Sequence, residues 1–290
     1  MLAMLRVTPA AMLLCACLLA SCGSKKPVVV GSKNETEQML LGEIVAQHLE
    51  RRLGRTVVRR TGLGGTAILY QSIISGEIGV YPEYTGLIAS EILKEAADSK
   101  PEIVLARVRG EMDRVQLQVL DPLGFDNPSA IVAKATGMEK INNLSDAANT
   151  DKRWKLGISS EFQFRSDGLQ ALSSYRIPLM PPRVLAPKQL FTALEKGDVD
   201  MIAARATDGR LSSPDWKVLA DDRNVFPSYQ AALLVRKDLI AAEPGLRPAL
   251  AELSGKFSAD IMRKLNAEVD VSGRPLSAVA ADFLTQAGLK

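Results

Sequence analysis

Tyr81, Pro82, Glu83 and Tyr84 concentrate more usable chemistry than any other short stretch of this chain. Two aromatic rings beside an acid offer electron-rich faces that hold a cation without a formal counter-charge. The residues around them say where they would sit. Gly76 marks a helix end, Ile78 to Tyr81 suit a buried strand, and Pro82 is expected to stop that strand because it has no N–H for a ladder. Thr85-Gly86 then reads as a strand-end loop, the place where open α/β sheets bind ligands. Read alone, the same two rings would serve equally well as core plugs.

Other reactive groups are sparse. His48, the sole histidine, lies in an amphipathic helical run and is expected at the surface or half-buried. Cys15, Cys17 and Cys22 are the only cysteines, so the chain beyond position 22 has no thiol and no disulfide. A zinc site would rest on His48 and carboxylates alone. No P-loop, GxSxG or dinucleotide fingerprint is present, and Gly62-Leu63-Gly64-Gly65 is too short for the last. Glu83 and Asp208 remain as carboxylates for catalysis, yet one follows a proline and the other precedes Gly209 in a turn, which suits structural roles. The expectation is a protein that is not an enzyme and carries no metal or cofactor. With 36 basic against 33 acidic side chains, nothing draws it to nucleic acid.

The N-terminus reads as an export signal. Residues 1–21 carry one charge (Arg6) and an apolar run too short to span a bilayer. The ending Leu19-Ala20-Ser21-Cys22 resembles a bacterial lipobox, which would make Cys22 the lipidated first residue of an exported, membrane-anchored protein. Residues 22–26 then form a polar tether. About 265 residues follow, enough for one large domain or two smaller ones that live on their cores alone.

Strand and helix patterns alternate through the rest. Val28 to Val30 suit a first strand, and Asn34 with Glu37 reads as an N-cap box opening a helix that Gly54 closes. Thr56 to Val58, a helix over Thr66 to Ser75 and the Ile78 strand follow, a β-α-β-α-β order that predicts a parallel sheet with helices on both faces. Further helices are expected over Leu87 to Lys94 and Pro101 to Val115. Asp121 to Pro128, rich in proline and turn formers, reads as a crossing into a second α/β unit. Asn224 to Tyr229 reads as the crossing back, before a strand over Gln230 to Val235 and helices over Pro244 to Leu265 and Leu276 to Gln286. These crossings predict lobes of 27–128 plus 229–290 and of 129–228, with ligand in the cleft between them.

Six motifs, in order along the chain, give this pattern a family. Gly31-Ser32-Lys33-Asn34-Glu35-Thr36-Glu37, Gly62 to Thr66, Gly76 to Gly86, Glu161-Phe162 with Arg165-Ser166-Asp167-Gly168, Ala206 to Gly209 and Phe226 to Ala232 together resemble the glycine betaine/carnitine/choline-type substrate-binding proteins of osmoprotectant ABC importers. The resemblance runs from about Val28 to Leu289. It implies a two-lobed periplasmic-binding-protein fold (type II-like), a closing cleft, and delivery of a small zwitterionic or quaternary-amine ligand to an ABC permease with its ATPase. A monomer is expected. In the family a methylated ammonium sits in a box of tyrosines and the carboxylate meets basic side chains. Carried over, Lys33 and Arg165 match carboxylate-binding places, and Tyr84 and Tyr229 match two members of the box.

Two box positions depart. Asn127-Pro128-Ser129 puts Ser129 where the family usually has tyrosine, and Arg205 stands where another is usual. Leu87 also replaces the family's Thr or Asp. A guanidinium about 5 Å from a bound ammonium would repel it by about 3 kcal/mol at an effective dielectric of about 20. Three readings follow: Arg205 turns to solvent or to Asp208, leaving a two-tyrosine site; it binds an anionic part of a larger betaine-like ligand; or the cleft serves another small polar solute. A lipoprotein that senses or scaffolds without transport is the rival from another class.

Overall fold

The computed structural model describes residues 27–95 and 100–289. The expected signal, Cys22 and the tether lie outside these described residues. Among the described residues ten strands form two five-stranded sheets. The first holds β1 (Val29–Gly31), β2 (Val58–Arg60), β3 (Val80–Tyr84), β4 (Leu117–Val119) and β10 (Ala231–Arg236), in the order β2-β1-β3-β10-β4. The second holds β5 (Ser129–Lys134), β6 (Leu156–Ile158), β7 (Arg183–Val184), β8 (Met201–Arg205) and β9 (Trp216–Leu219), in the order β7-β6-β8-β5-β9.

Parallel pairing joins strands whose connections run through helices: β6 pairs so with β7 and β8. β1 runs parallel to β2 and β3, whereas β10 is antiparallel to both β3 and β4. β5 likewise runs antiparallel to β8 and β9. Both sheets are therefore mixed, because the strands next to the crossings enter from the other lobe. The crossings themselves touch: Asp126 bridges to Gln230, and the Asp126 carboxylate accepts from the Ser228 hydroxyl (2.7 Å) and the Tyr229 N–H (2.6 Å).

Six helices are needed below: α1 (Thr36–Leu53), α2 (Thr66–Ser75), α3 (Pro101–Arg114), α4 (Pro187–Lys196), α5 (Ala259–Asp270) and α6 (Leu276–Gln286). Gly54 at φ 63° closes α1, as the sequence predicts. The expected N-cap box does not form. Glu35 occupies the cap position of α1 with no side-chain cap bond. Glu37 turns inward instead, where stronger partners from distant segments claim it.

Three other expectations change. Pro82 does not stop β3: its partner Leu233 gives its carbonyl to the Leu120 N–H on the other side, so the β3–β10 ladder needs no proton at Pro82. The segment expected as one helix from Pro244 is divided, because the chain turns at Gly255 (φ 68°) and restarts at Ser258, whose hydroxyl caps α5 by accepting from Ile261 N–H (3.2 Å). His48 is 0% exposed and not at the surface. It lies in α1 where that helix packs on the segment Leu246–Ala251, and its Nε2–H donates to the Ala249 carbonyl (2.8 Å).

Each lobe has its own cores. Leu40, Ile44 and Leu49 of α1 meet Val279, Phe283 and Leu284 of α6 over one face of the first sheet, while Ile73, Val104 and Val108 cover the other. Fully burying such side chains contributes about 1.5–3 kcal/mol each. In the second lobe Ile131, Trp154 and Leu156 pack on one face, and Val132, Phe191 and Leu194 on the other. Both tryptophans of the chain belong to this lobe: Trp154 is buried with its indole N–H on the Ala147 carbonyl (3.1 Å), and Trp216 meets Phe191 edge-on at 5.5 Å. Among the described residues no helix is long and apolar enough to cross a membrane.

Candidate functional site

The alternation of a strand separates the two tyrosines that the sequence places together. Tyr81 and Tyr84 are three residues apart on β3, so they leave opposite faces. Tyr81 is buried in the core with Leu69 and Val104. Tyr84 alone faces the interlobe side, where its hydroxyl donates to the Glu37 carboxylate.

Lys33, Ser129, Arg165 and Arg205 come together around a cleft of about 430 Å³ between the two sheets. Lys33 reaches it from the loop after β1, Ser129 and Arg205 from β5 and β8, and Arg165 from the turn after Ser160–Phe164. Tyr84 lines an adjoining space of about 200 Å³ with Lys33 and Arg205. Tyr229 is 1% exposed and lines neither, but its ring carries the guanidinium of Arg165 at 5.4 Å and that of Arg205 at 5.3 Å. Two further cavities, of about 470 and 480 Å³, are lined by first-lobe residues only, so movement of the second lobe cannot cover them.

The charges of the cleft are largely committed to one another. Lys33 is 2% exposed, donates to Glu83 (2.6 Å) and sits 5.0 Å over the Tyr84 ring. Burial pushes the Glu83 carboxyl up, and the Lys33 charge opposes it. Arg165 grips Asp167 with Nε (2.7 Å) and Nη2 (2.5 Å) and donates from Nη1 to Glu161 (2.9 Å). The Tyr229 hydroxyl donates to Asp167 and accepts from Arg165. Burial alone would raise Asp167, but the bonds from Arg165 and Tyr229 outweigh it and hold this carboxyl below its usual range. Arg205 does not pair with Asp208, one of the sequence expectations. Asp208 is taken by Arg210, whose Nε and Nη2 reach it at 2.9 and 2.6 Å from two residues away.

A buried polar knot beside the cleft was invisible in the sequence. Glu37, at the start of α1, accepts from Tyr84, from Asn127 Nδ2 (3.1 Å), from Thr207 Oγ1 (2.5 Å) and from Asn266 Nδ2 (2.7 Å). Asn266 also donates to the Thr207 carbonyl (2.8 Å), and the Thr207 N–H to Asn127 Oδ1 (3.2 Å). Thr207 follows β8 of the second lobe; Glu37, Tyr84 and Asn266 belong to elements of the first. One carboxylate thus ties the lobes together. Burial raises its pKa, with the Thr207, Tyr84 and Asn266 bonds acting against the shift. The contact is tight as well as polar: a Cβ on Gly209 would come within 2.5 Å of Ala267 N in α5.

A cleft between two mixed sheets, with crossings that join them and cationic side chains at its wall, is the architecture implied by the resemblance. Residues 26–286 match the family described as the substrate binding domain of ABC-type glycine betaine transport systems. The chain belongs to that family. It is 30% identical over 269 residues to the ergothioneine transport permease/ergothioneine binding protein EgtU of Helicobacter pylori, an alignment covering 91% of this chain and 48% of that protein. The chain thus spans about half the length of that relative. The carnitine transport binding protein OpuCC of Listeria monocytogenes is 29% identical over 267 residues, covering 90% of this chain and 87% of the other. A solved glycine betaine/carnitine/choline ABC transporter structure superposes with a TM-score of 0.85 at 25% identity, covering 90% of this chain and 99% of that one. The fold is the periplasmic-binding-protein fold, and the protein is a substrate-binding protein of the ABC-importer kind. Members of this family are exported and act outside the cytoplasm.

Proposed function

We propose that this protein captures a small zwitterionic solute of the betaine class, or a related small polar solute, in the interlobe cleft and hands it to an ABC permease driven by its ATPase. The observation that carries the proposal is the cleft of about 430 Å³ walled by Lys33 from the first lobe and by Ser129, Arg165 and Arg205 from the second. Its size suits one small solute, and lobe closure would complete it. The lobes are assigned as 27–128 plus 229–290 and 129–228, acting as a monomer and by binding alone, without catalysis.

A thermal-shift series on the mature chain with betaines, carnitine, choline, ergothioneine and amino acids tests this. A ligand at 100 times its dissociation constant should stabilise by about 2.7 kcal/mol. A series in which no compound moves the midpoint would remove the proposal. Anchoring is a separate part of it. With Cys22 as the acylated residue, Cys22→Ser should leave the protein uncleaved or in the soluble fraction, because acyl chains supply the attachment. Unchanged membrane fractionation of that variant speaks against a lipid anchor at Cys22.

A further inference from the structure

The two positions that depart from the family's tyrosine box are partners across one ladder: Ser129 of β5 lies directly opposite Arg205 of β8. Directly opposed residues are side-by-side neighbours on one face of a sheet, and both line the cleft. A hydroxyl and a guanidinium thus stand side by side on the cleft wall. The places matched to carboxylate binding have meanwhile been filled from within. Lys33 is spent on Glu83 at 2.6 Å, and Arg165 on Asp167 at 2.7 and 2.5 Å.

Arg205 differs from both. Its hydrogen bond to the Asn127 carbonyl is long (3.5 Å), and Glu161, the carboxylate within its reach, is 3.9 Å away. Its side chain is 37% exposed. A guanidinium has five N–H donors, and most of those on Arg205 point to no acceptor among the described residues. The rings tell the complementary story. Lys33 stands over Tyr84, and Arg165 and Arg205 over Tyr229, so the faces that would hold an ammonium already hold the protein's own cations.

We infer that Arg205 and Ser129 receive the anionic oxygens of the ligand, so that this cleft selects its solute by a carboxylate at the β5–β8 corner and not by a methylated ammonium. The inference rests on the proposed solute-binding function and specifies which end of the solute carries recognition. A planar guanidinium with a neighbouring hydroxyl suits a carboxylate because two N–H groups and one O–H share its two oxygens.

Calorimetry with three probes decides the matter: glycine betaine (trimethylammonium and carboxylate), choline (trimethylammonium without carboxylate) and succinate (two carboxylates without ammonium). Wild type should bind at least one of the two carboxylate probes and bind it better than choline. Arg205→Met should weaken that binding by about 30-fold or more, the loss for truncating one partner of a charge pair that the ligand and the closing lobes would shield from water. Arg205→Lys should recover part of it, which a merely structural role for Arg205 would not produce, and circular dichroism of each variant checks folding. Choline binding as well as glycine betaine, with Arg205→Met leaving both within twofold, overturns the inference while the proposed function stands. Failure of all three probes to bind wild type also overturns the inference, and the proposed function falls with it only where the wider thermal-shift series is blank as well.

Discussion

Glu37→Leu should destabilise the protein by about 3–6 kcal/mol, because it strands four buried donors at once. The hydroxyls of Tyr84 and Thr207 and the amides of Asn127 and Asn266 all aim at this carboxylate, and a buried donor without an acceptor costs about 1–3 kcal/mol. Glu37→Gln keeps one acceptor oxygen but turns an amide N–H₂ toward groups that donate, so it should cost less than leucine and more than a surface change. Equilibrium urea unfolding of both variants measures this. A leucine variant within about 1 kcal/mol of wild type would show that the knot contributes little. The same residue predicts a pH dependence. Burial lifts the Glu37 carboxyl above 4.5, so the folded chain holds that proton more tightly than the unfolded one. From 4.5 up to the raised value the native state binds more protons, and stability falls as pH rises. Glu83, also raised, adds the same sign. Glu37→Gln should therefore flatten the slope and leave the Glu83 part.

Lys33→Met is expected to cost about 3–5 kcal/mol at neutral pH, the penalty for leaving one member of a buried ion pair alone. Lys33 and Glu83 are both shielded from water, the second carboxylate oxygen of Glu83 has no hydrogen-bond partner, and beside Lys33 the carboxylate has only the Tyr84 backbone N–H (2.8 Å), so no other cation compensates the charge. Two controls separate this from lost packing. Lys33→Met combined with Glu83→Gln should be more stable than Lys33→Met alone, a non-additivity that a double-mutant cycle reads directly. The penalty of the single change should also shrink as pH falls, since a protonated Glu83 needs no partner. Additive costs, or a penalty independent of pH, would rule out the stranded charge as its cause.

Much of the fold was legible because it is written locally. The apolar runs at Val28, Ile78 and Leu233 became strands, and Gly54 ended α1 where a left-handed residue was needed. The site was legible only in part. Tyr81 and Tyr84 could have been told apart from the sequence, since an odd spacing on a strand divides two side chains between faces. Glu37 could not. Its spacing from Asn34 is that of a capping box, and nothing local reveals that partners at 84, 127, 207 and 266 outcompete the helix end for its carboxylate. Lys33 is a similar case, matched to a ligand place by its motif yet claimed by an acid fifty positions away in the sequence. Arg205 stood out in the sequence as a charge at a place where the resemblance leads one to expect a ring, but its neighbour Ser129 became meaningful only through strand register.

Placing both tryptophans in the second lobe has an optical consequence. Under tryptophan-selective excitation all emission comes from that half of the molecule, and the first lobe is dark. An unfolding curve followed by emission therefore reports β5 to β9 and their helices, whereas far-ultraviolet dichroism averages over both sheets. Coincidence of the two curves would mean that the halves melt as one cooperative unit. Separation of the curves would measure how strongly one half holds the other in place. The protein carries its own reporter for the mechanical coupling of its lobes, with no label added.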